Sequence, residues 1–240
     1  AAALAFCERQ REQLPVVTRR QAADAFRRSG ALARAAGMLR GLPPDAIVAD
    51  VHRRAGRYRA AADAAAAAAA DSEGRSRAIA ARVALDRGDP RGAQTLIGAA
   101  DTAATAEVAA LLAATSGDTE RAITLAERAR ALAADPEARA RAAAMAAYAR
   151  GWRAPEAAWR DYREAAEYAL QAGAWLEEAT YRTGEASAAV DGGALGRALE
   201  AADRAALLWE DVLGRPGMAA RAHLARAAAW AAVDAEAPAR

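Results

Sequence analysis

Glycine recurs at intervals along this chain, each time between two segments that have the composition of helices. Six of these glycines stand at positions 30, 56, 88, 117, 151 and 193, so the intervals are 26, 32, 29, 34 and 42 residues. A self-similar period of about 20–50 residues is typical of chains that stack one supersecondary unit on the next. Because the mean interval is about 33 residues and the segments lack the alternation of strands, the pattern predicts stacked helix pairs.

The clearest unit is the segment 116–136, SGDTERAITLAERARALAADP. Gly117 and Asp118 open a turn, and the following helix carries a stripe of small residues at Ala122, Ala126 and Ala129. These residues resemble the turn and second helix of a tetratricopeptide (TPR) repeat. The resemblance implies an all-α fold in which antiparallel helix pairs stack as a TPR-like right-handed α-solenoid.

Other segments repeat this spacing of small residues after a turn. The matching positions are Ala61, Ala65 and Ala68; Ala93, Ile97 and Ala100; Ala158, Tyr162 and Ala165; and Ala198, Ala202 and Ala205. We therefore expect one TPR-like domain over 1–240, with divergent N-terminal helices at 1–42 and repeats at 43–213. A capping helix and tail are expected at 214–240.

Composition favours helix and argues against a nucleic-acid partner. Roughly a third of the residues are alanine, the best helix former. The net charge is +2, and all 33 basic residues are arginine, so the chain as a whole lacks the excess charge of nucleic-acid-binding proteins. Residues 1–60 nevertheless hold 12 arginines against 5 acidic residues, which indicates either a contact with an acidic partner or a solvated arginine-rich face.

The residues that could carry catalysis are few. His52 and His223 are the only histidines, lysine is absent, and no HExxH, GxSxG or GxGxxG motif occurs in a suitable context. His52 falls at an inward position of its helix, where a packing role is expected, and His223 is expected at the surface. We therefore predict no enzymatic activity, no catalytic residue, no cofactor and no metal site.

Cysteine content and hydropathy bear on location. Cys7 is the only cysteine, so it forms no intrachain disulfide and no cysteine-based zinc site. No apolar run outside the alanine tracts is long enough to span a bilayer. These features predict a cytoplasmic protein without a membrane partner, and the helical pattern of the first residues predicts that the chain is part of something larger.

The first helix of each pair lines the concave face in TPR-like proteins, which implies a groove for a protein or peptide partner. The residues predicted to fall on this face are Asp50, Arg53 and Arg54; Arg75, Arg82 and Asp86; and Glu107, Leu111 and Thr115. Asp50 and Arg54 lie four residues apart, and spacings of four and seven also separate the residues of the other two sets, so each set shares one side of its helix. The alternative is a solvated inner face that binds nothing.

The predicted function is a non-enzymatic protein-binding scaffold. Alanine- and arginine-rich arrays of this kind are similar to the helical arms of large bacterial regulators of the LuxR/MalT type, so the resemblance implies an arm of such a regulator. Two alternatives stay open: a sensor that closes around a peptide or small effector, and an accessory domain of an enzyme whose catalytic part lies elsewhere.

Aromatic residues are unevenly distributed. All five tryptophans, at positions 152, 159, 175, 209 and 230, lie in the C-terminal part of the chain. Buried aromatic rings remove much more area from water than alanine does, so we expect the C-terminal part to be the more stable one. The alternative is that some of these rings are exposed anchors of a binding surface.

Overall fold

The computed structural model describes residues 2–68 and 74–236. Within these residues the chain forms helices and turns and no β-strand, which confirms the predicted all-α class. The helices are α1 (Ala2–Arg9), α2 (Val16–Arg28), α3 (Leu32–Leu39), α4 (Ala46–Arg54), α5 (Tyr58–Ala67), α6 (Arg75–Asp86), α7 (Pro90–Ile97), α8 (Ala103–Thr115), α9 (Thr119–Leu132), α10 (Pro136–Arg150), α11 (Pro155–Gln171), α12 (Trp175–Asp191), α13 (Leu195–Leu207) and α14 (Ala220–Glu236). Short 3₁₀ turns occupy Arg11–Gln13, Gly151–Arg153 and Pro216–Ala219, and a π-helical turn occupies Leu208–Val212.

The helices form two compact units, Ala1–Leu112 and Ala113–Arg240, here called the first and second unit. In the first unit α2 packs on α3, α4 on α5, and α6 on α7. The first helices of these pairs also contact one another, α2 with α4 and α4 with α6. In the second unit each helix from α9 to α14 packs on the next, and α12 also contacts α14.

Five of the six predicted turn glycines end the first helix of a pair in the same way. At positions 30, 56, 88, 117 and 193 the glycine φ lies between 71° and 82°, a left-handed conformation that other residues disfavour. After α4, Gly56 N–H donates to Arg53 O and Arg57 N–H donates to His52 O, both at 2.9 Å. These two bonds form a Schellman motif, which fixes the direction in which the chain leaves the helix.

Aspartate caps several of the helices that follow a turn or loop. The side chains of Asp45, Asp89, Asp118 and Asp135 each accept a hydrogen bond from a backbone N–H in the first turn, at 2.8–3.2 Å. Proline follows immediately at positions 90 and 136, where its fixed φ favours the first helical turn. The caps therefore set where these helices begin.

The predicted stripes of small residues are buried. Ala122, Ala126 and Ala129 on α9 are 0 % exposed. Most of the equivalent alanines of the other second helices are buried as well, namely Ala61 and Ala65, Ala93, Ala158 and Ala165, and Ala198, Ala202 and Ala205. Ala68, which was predicted to share the stripe of Ala61 and Ala65, is only half-buried because α5 ends at Ala67. Each buried methyl contributes only about 0.8 kcal/mol, so the fold depends on many close helix contacts more than on a few large side chains.

Larger side chains complete the core of each unit. Phe26, Met38 and Val51 are buried together in the first unit. In the second unit Trp209 is 3 % exposed, and its Nε1 donates to Thr183 Oγ1 at 3.1 Å. Exposed tryptophans also occur there, since Trp175 is 44 % and Trp230 54 % exposed. The side chain of Trp152 lies outside the described part of the chain.

Candidate functional site

The nine residues predicted to line a groove lie on three helices. Asp50, Arg53 and Arg54 lie on α4, Arg75, Arg82 and Asp86 on α6, and Glu107, Leu111 and Thr115 on α8. The structure brings five of them together, all from the C-terminal halves of α4 and α6: Asp50, Arg53, Arg54, Arg82 and Asp86. With three residues of α2, these five form what we call the Asp50 network.

The other four predicted residues occupy different positions. Arg75 is exposed at the start of α6, about 10 Å from Arg82 along the helix axis. On α8, Glu107 and Leu111 are half-buried and Thr115 is exposed. Their spacing of four residues places all three on one side of that helix, as the sequence predicts.

Asp50 is the centre of the network. Its Oδ2 atom lies 2.8 Å from Arg54 Nε and 3.3 Å from Arg27 Nη1, and its Oδ1 atom lies 3.0 Å from Arg53 Nη2. The Asp50 side chain is only 15 % exposed. One nearly buried carboxylate therefore holds three guanidinium groups, two from its own helix and one from α2.

These contacts determine the charge state of Asp50. Burial alone would raise the pKa of its carboxyl, but the attraction of Arg54, Arg53 and Arg27 outweighs burial, so the pKa lies well below its usual value. Asp50 is thus ionised near neutral pH, where it does not act as a proton donor.

Arg53 connects this centre to the next helix pair. Its Nη1 atom lies 3.4 Å from Asp86 Oδ2 on α6. Arg82 Nε lies 3.7 Å from the other oxygen of the same carboxylate. The Asp86 and Arg82 side chains are 26 % and 33 % exposed, so the α6 end of the network is more accessible to solvent than Asp50.

The α2 members of the network were not predicted from the sequence; they are Asp24, Arg27 and Arg28. Arg27 Nη2 lies 2.7 Å from Asp24 Oδ1, and Arg28 Nε lies 3.2 Å from Asp24 Oδ2. A signal for them was present, because residues 24–30 are DAFRRSG and residues 50–56 are DVHRRAG. The same charges recur at the same distance before the turn glycine in two successive pairs.

The third helix of the network carries the opposite charges at these positions. Arg82 lies six residues before its turn glycine, the position that Asp50 occupies on α4. Asp86 lies two residues before the same glycine, the position that Arg54 occupies on α4. Because the signs are reversed, neighbouring α4 and α6 attract each other through Arg53 and Asp86. The network as a whole therefore continues across three helices.

A second network of ion pairs lies in the second unit. Arg130 on α9 lies 3.1 Å from Asp161 and 3.0 Å from Glu164, both on α11. Arg150 at the end of α10 lies 3.0 Å from Glu127 and also contacts Asp161. These pairs join α9, α10 and α11 at one place, and Asp161, whose side chain is 12 % exposed, is their most buried member.

The two histidines lie in different surroundings. Burial lowers the pKa of His52, and the charge of Arg57 lowers it further. His223 Nε2 lies 2.8 Å from Glu210 Oε1, and its Nδ1 lies 3.2 Å from Arg226 Nη2. Histidine 223 thus links the π-helical turn to α14 at the surface of the second unit, where it is partly exposed.

Metal sites and membrane spans are absent from the part of the chain that the structure describes. Within residues 2–68 and 74–236 no group of three or more His, Cys, Asp or Glu side chains could hold a metal ion. Among the same residues, no helix combines the length and the apolar character that crossing a membrane requires.

No protein-family model matches this chain, and none of the curated proteins is similar to it in sequence.

Proposed function

We propose that this chain is a non-enzymatic scaffold that binds an acidic segment of a protein partner. In this proposal the antiparallel helix pairs of each unit stack as a TPR-like right-handed α-solenoid, and the chain is the helical-repeat arm of a larger bacterial regulator in the cytoplasm. The contacts of α2 with α4 and of α4 with α6 support stacking of successive pairs.

The observation that carries the proposal is the charge of the Asp50 network. Its members are five arginines and three aspartates, so arginines outnumber aspartates by two where the three helices meet. The members of the network lie on α2, α4 and α6, three consecutive first helices, and first helices would line the groove of such an array. A partner segment rich in Asp and Glu complements this charge and is guided toward it.

The network's more exposed end supplies groups suited to carboxylates. The Arg82 side chain is one-third exposed, although its Nε atom is buried and lies 3.7 Å from Asp86 Oδ1, beyond hydrogen-bond distance, so the groups left for a partner are its terminal Nη atoms. A planar guanidinium group can bind a carboxylate through two N–H groups at once. A glutamate or aspartate of the partner therefore finds a donor at Arg82 without any loss of the Asp50 contacts.

The test uses two synthetic peptides of equal length, one of alternating Glu and Ser and one of alternating Arg and Ser. Fluorescence anisotropy should detect binding of the acidic peptide to the full chain, and binding should weaken as salt is added, because exposed charges are screened. The combined change Arg75→Glu and Arg82→Glu should abolish binding while the far-ultraviolet circular dichroism spectrum stays the same.

The control is Arg91→Glu, which makes the same change of charge at an exposed position of α7, a second helix of the same unit. This variant should bind the acidic peptide nearly as well as the parent chain does. Equal binding of the two peptides, or full binding by the Arg75 and Arg82 variant, would place the partner surface elsewhere.

A further inference from the structure

A cleft of about 280 Å³ lies among α11, α12 and α13 of the second unit. Four arginines and four glutamates line it, together with one leucine and one alanine. The cleft is separate from the Asp50 network, all of whose members lie in the first unit. The cleft is therefore a different surface from the one proposed for the acidic peptide.

The floor of the cleft is one side of α12. Glu178, Arg182 and Glu185 share this side because they lie four and three residues apart. The side chains of Glu178 and Glu185 are 1 % and 2 % exposed, and that of Arg182 is 17 % exposed. Each carboxylate has one arginine: Arg204 Nε donates to Glu178 Oε1 at 2.9 Å, and Arg182 Nη1 donates to Glu185 Oε2 at 2.7 Å.

Two polar atoms of this floor are buried without a hydrogen-bond partner among the described residues. They are the second carboxylate oxygen of Glu178, Oε2, and the Nε of Arg182. A buried acceptor or donor that makes no hydrogen bond is costly, and more so when it belongs to a charged group. The floor therefore offers one unsatisfied acceptor on an anion and one unsatisfied donor on a cation.

The chemistry of these two atoms and the i, i+4 spacing of their residues point to a zwitterion. Side chains at positions i and i+4 of a helix have Cβ atoms about 5–6 Å apart, a distance that one small molecule with adjacent charges can span with two hydrogen bonds. A simple cation would leave Arg182 Nε without an acceptor, and a simple anion would leave Glu178 Oε2 without a donor. We infer that this cleft binds a free α-amino acid, with its ammonium group on Glu178 and its carboxylate on Arg182.

The size and rim of the cleft agree with this ligand. Sites for drug-sized molecules occupy about 300–1,000 Å³, so a cleft at the lower limit suits a single amino acid and excludes a folded segment. Arg204 and Arg197 at the rim are 42 % and 39 % exposed. Arg204 keeps its hydrogen bond to Glu178, whereas Arg197, whose partner Glu200 is itself 69 % exposed, can turn aside to admit the ligand and then add N–H donors to its carboxylate.

The test measures binding of free amino acids to the full chain. Each standard L-amino acid is screened by thermal shift, and those that raise the melting temperature are titrated calorimetrically. At least one should bind, and its N-acetyl derivative, which lacks the ammonium group, should bind about tenfold more weakly or worse. The corresponding amide, which lacks the carboxylate and resembles a peptide N-terminus, should lose affinity to a similar degree.

Two variants and a control complete the experiment. Glu178→Gln keeps the shape of the side chain and should weaken binding about tenfold or more, whereas Glu156→Gln, at a 67 % exposed position of α11, should leave it unchanged. If Glu178→Gln proves unfolded, Arg197→Gln at the rim replaces it and should weaken binding several-fold. No binding by any amino acid, unchanged affinity of the cleft variants, or equal binding of the amide would overturn the inference.

Discussion

Replacing Asp50 with asparagine removes a nearly buried charge and changes the size of the side chain very little. Three guanidinium groups lie 2.8, 3.0 and 3.3 Å from its carboxylate oxygens. Breaking a buried ion pair by removing one partner costs about 3–5 kcal/mol. Since Arg27 keeps Asp24 and Arg53 keeps Asp86, we expect Asp50→Asn to lower the free energy of unfolding by about 3 kcal/mol at neutral pH.

Urea unfolding followed by far-ultraviolet circular dichroism measures this loss, and urea is preferred because guanidinium chloride would screen the charges. The control is Asp101→Asn, which removes the same group where it is 56 % exposed and lies 2.7 Å from Arg77. Exposed pairs contribute about 0–1 kcal/mol, so the control should be close to the parent chain. Hydrogen exchange should accelerate in α2, α4 and α6 of Asp50→Asn.

The pH dependence tests the electrostatic explanation separately. The pKa of Asp50 is lowered by folding, so its contribution to stability is fully present above the usual aspartate pKa of about 4 and is lost as the pH falls below that value. The difference in unfolding free energy between the parent chain and Asp50→Asn should therefore shrink in acid. A difference that stays constant from neutral pH into acid, or that equals the effect of Asp101→Asn, would refute the reasoning.

Two further predictions concern packing. Gly184→Ala should destabilise the chain by about 1–3 kcal/mol, because the added Cβ would lie 2.8 Å from Tyr162 Cε1. Gly37→Ala in α3 should stabilise it by about 0.5–1 kcal/mol, because no atom lies within 4 Å of the added Cβ. Thermal unfolding measures both changes, and two changes of the same sign would contradict the prediction. Amide hydrogen exchange measured by mass spectrometry should be slower over 158–210 than over 74–100, because the former holds the buried Trp209 and several half-buried aromatic rings. Faster exchange over 158–210 would disprove the expected difference in stability.

The helix pairs were predictable because the relevant requirements are local. A turn position with a left-handed backbone conformation strongly favours glycine, so Gly56 and Gly88 mark their turns in the sequence as clearly as in the structure. Close helix contacts require small residues, so the stripe of Ala122, Ala126 and Ala129 indicated a buried face before any contact was known. Gly173 was missed as a turn because it falls between two predicted units, although it forms the same motif.

The ion pairs were less predictable because they depend on where helices from different pairs meet. The position of Asp50 on an inward side of α4 followed from the repeat, but its contact with Arg27, 23 residues earlier, required the packing of α2 on α4. The cleft of the second unit was not predicted, because its lining comes from α11, α12 and α13. The contact of Glu178 on α12 with Arg204 on α13, 26 residues later, is not encoded in any local pattern of α12.

The reversed charges of α6 have a consequence for how the chain finds its fold. Alanine stripes are nearly identical on successive second helices, so apolar packing alone hardly distinguishes one helix pair from another in a chain that is roughly one-third alanine. If the pair α4 and α5 exchanged places with the pair α6 and α7, Arg27 would meet Arg82 in the position of Asp50, and like charges would repel. The Asp50 network therefore gives similar helix pairs a fixed order, and it penalises shuffled arrangements that the alanine faces would otherwise accept.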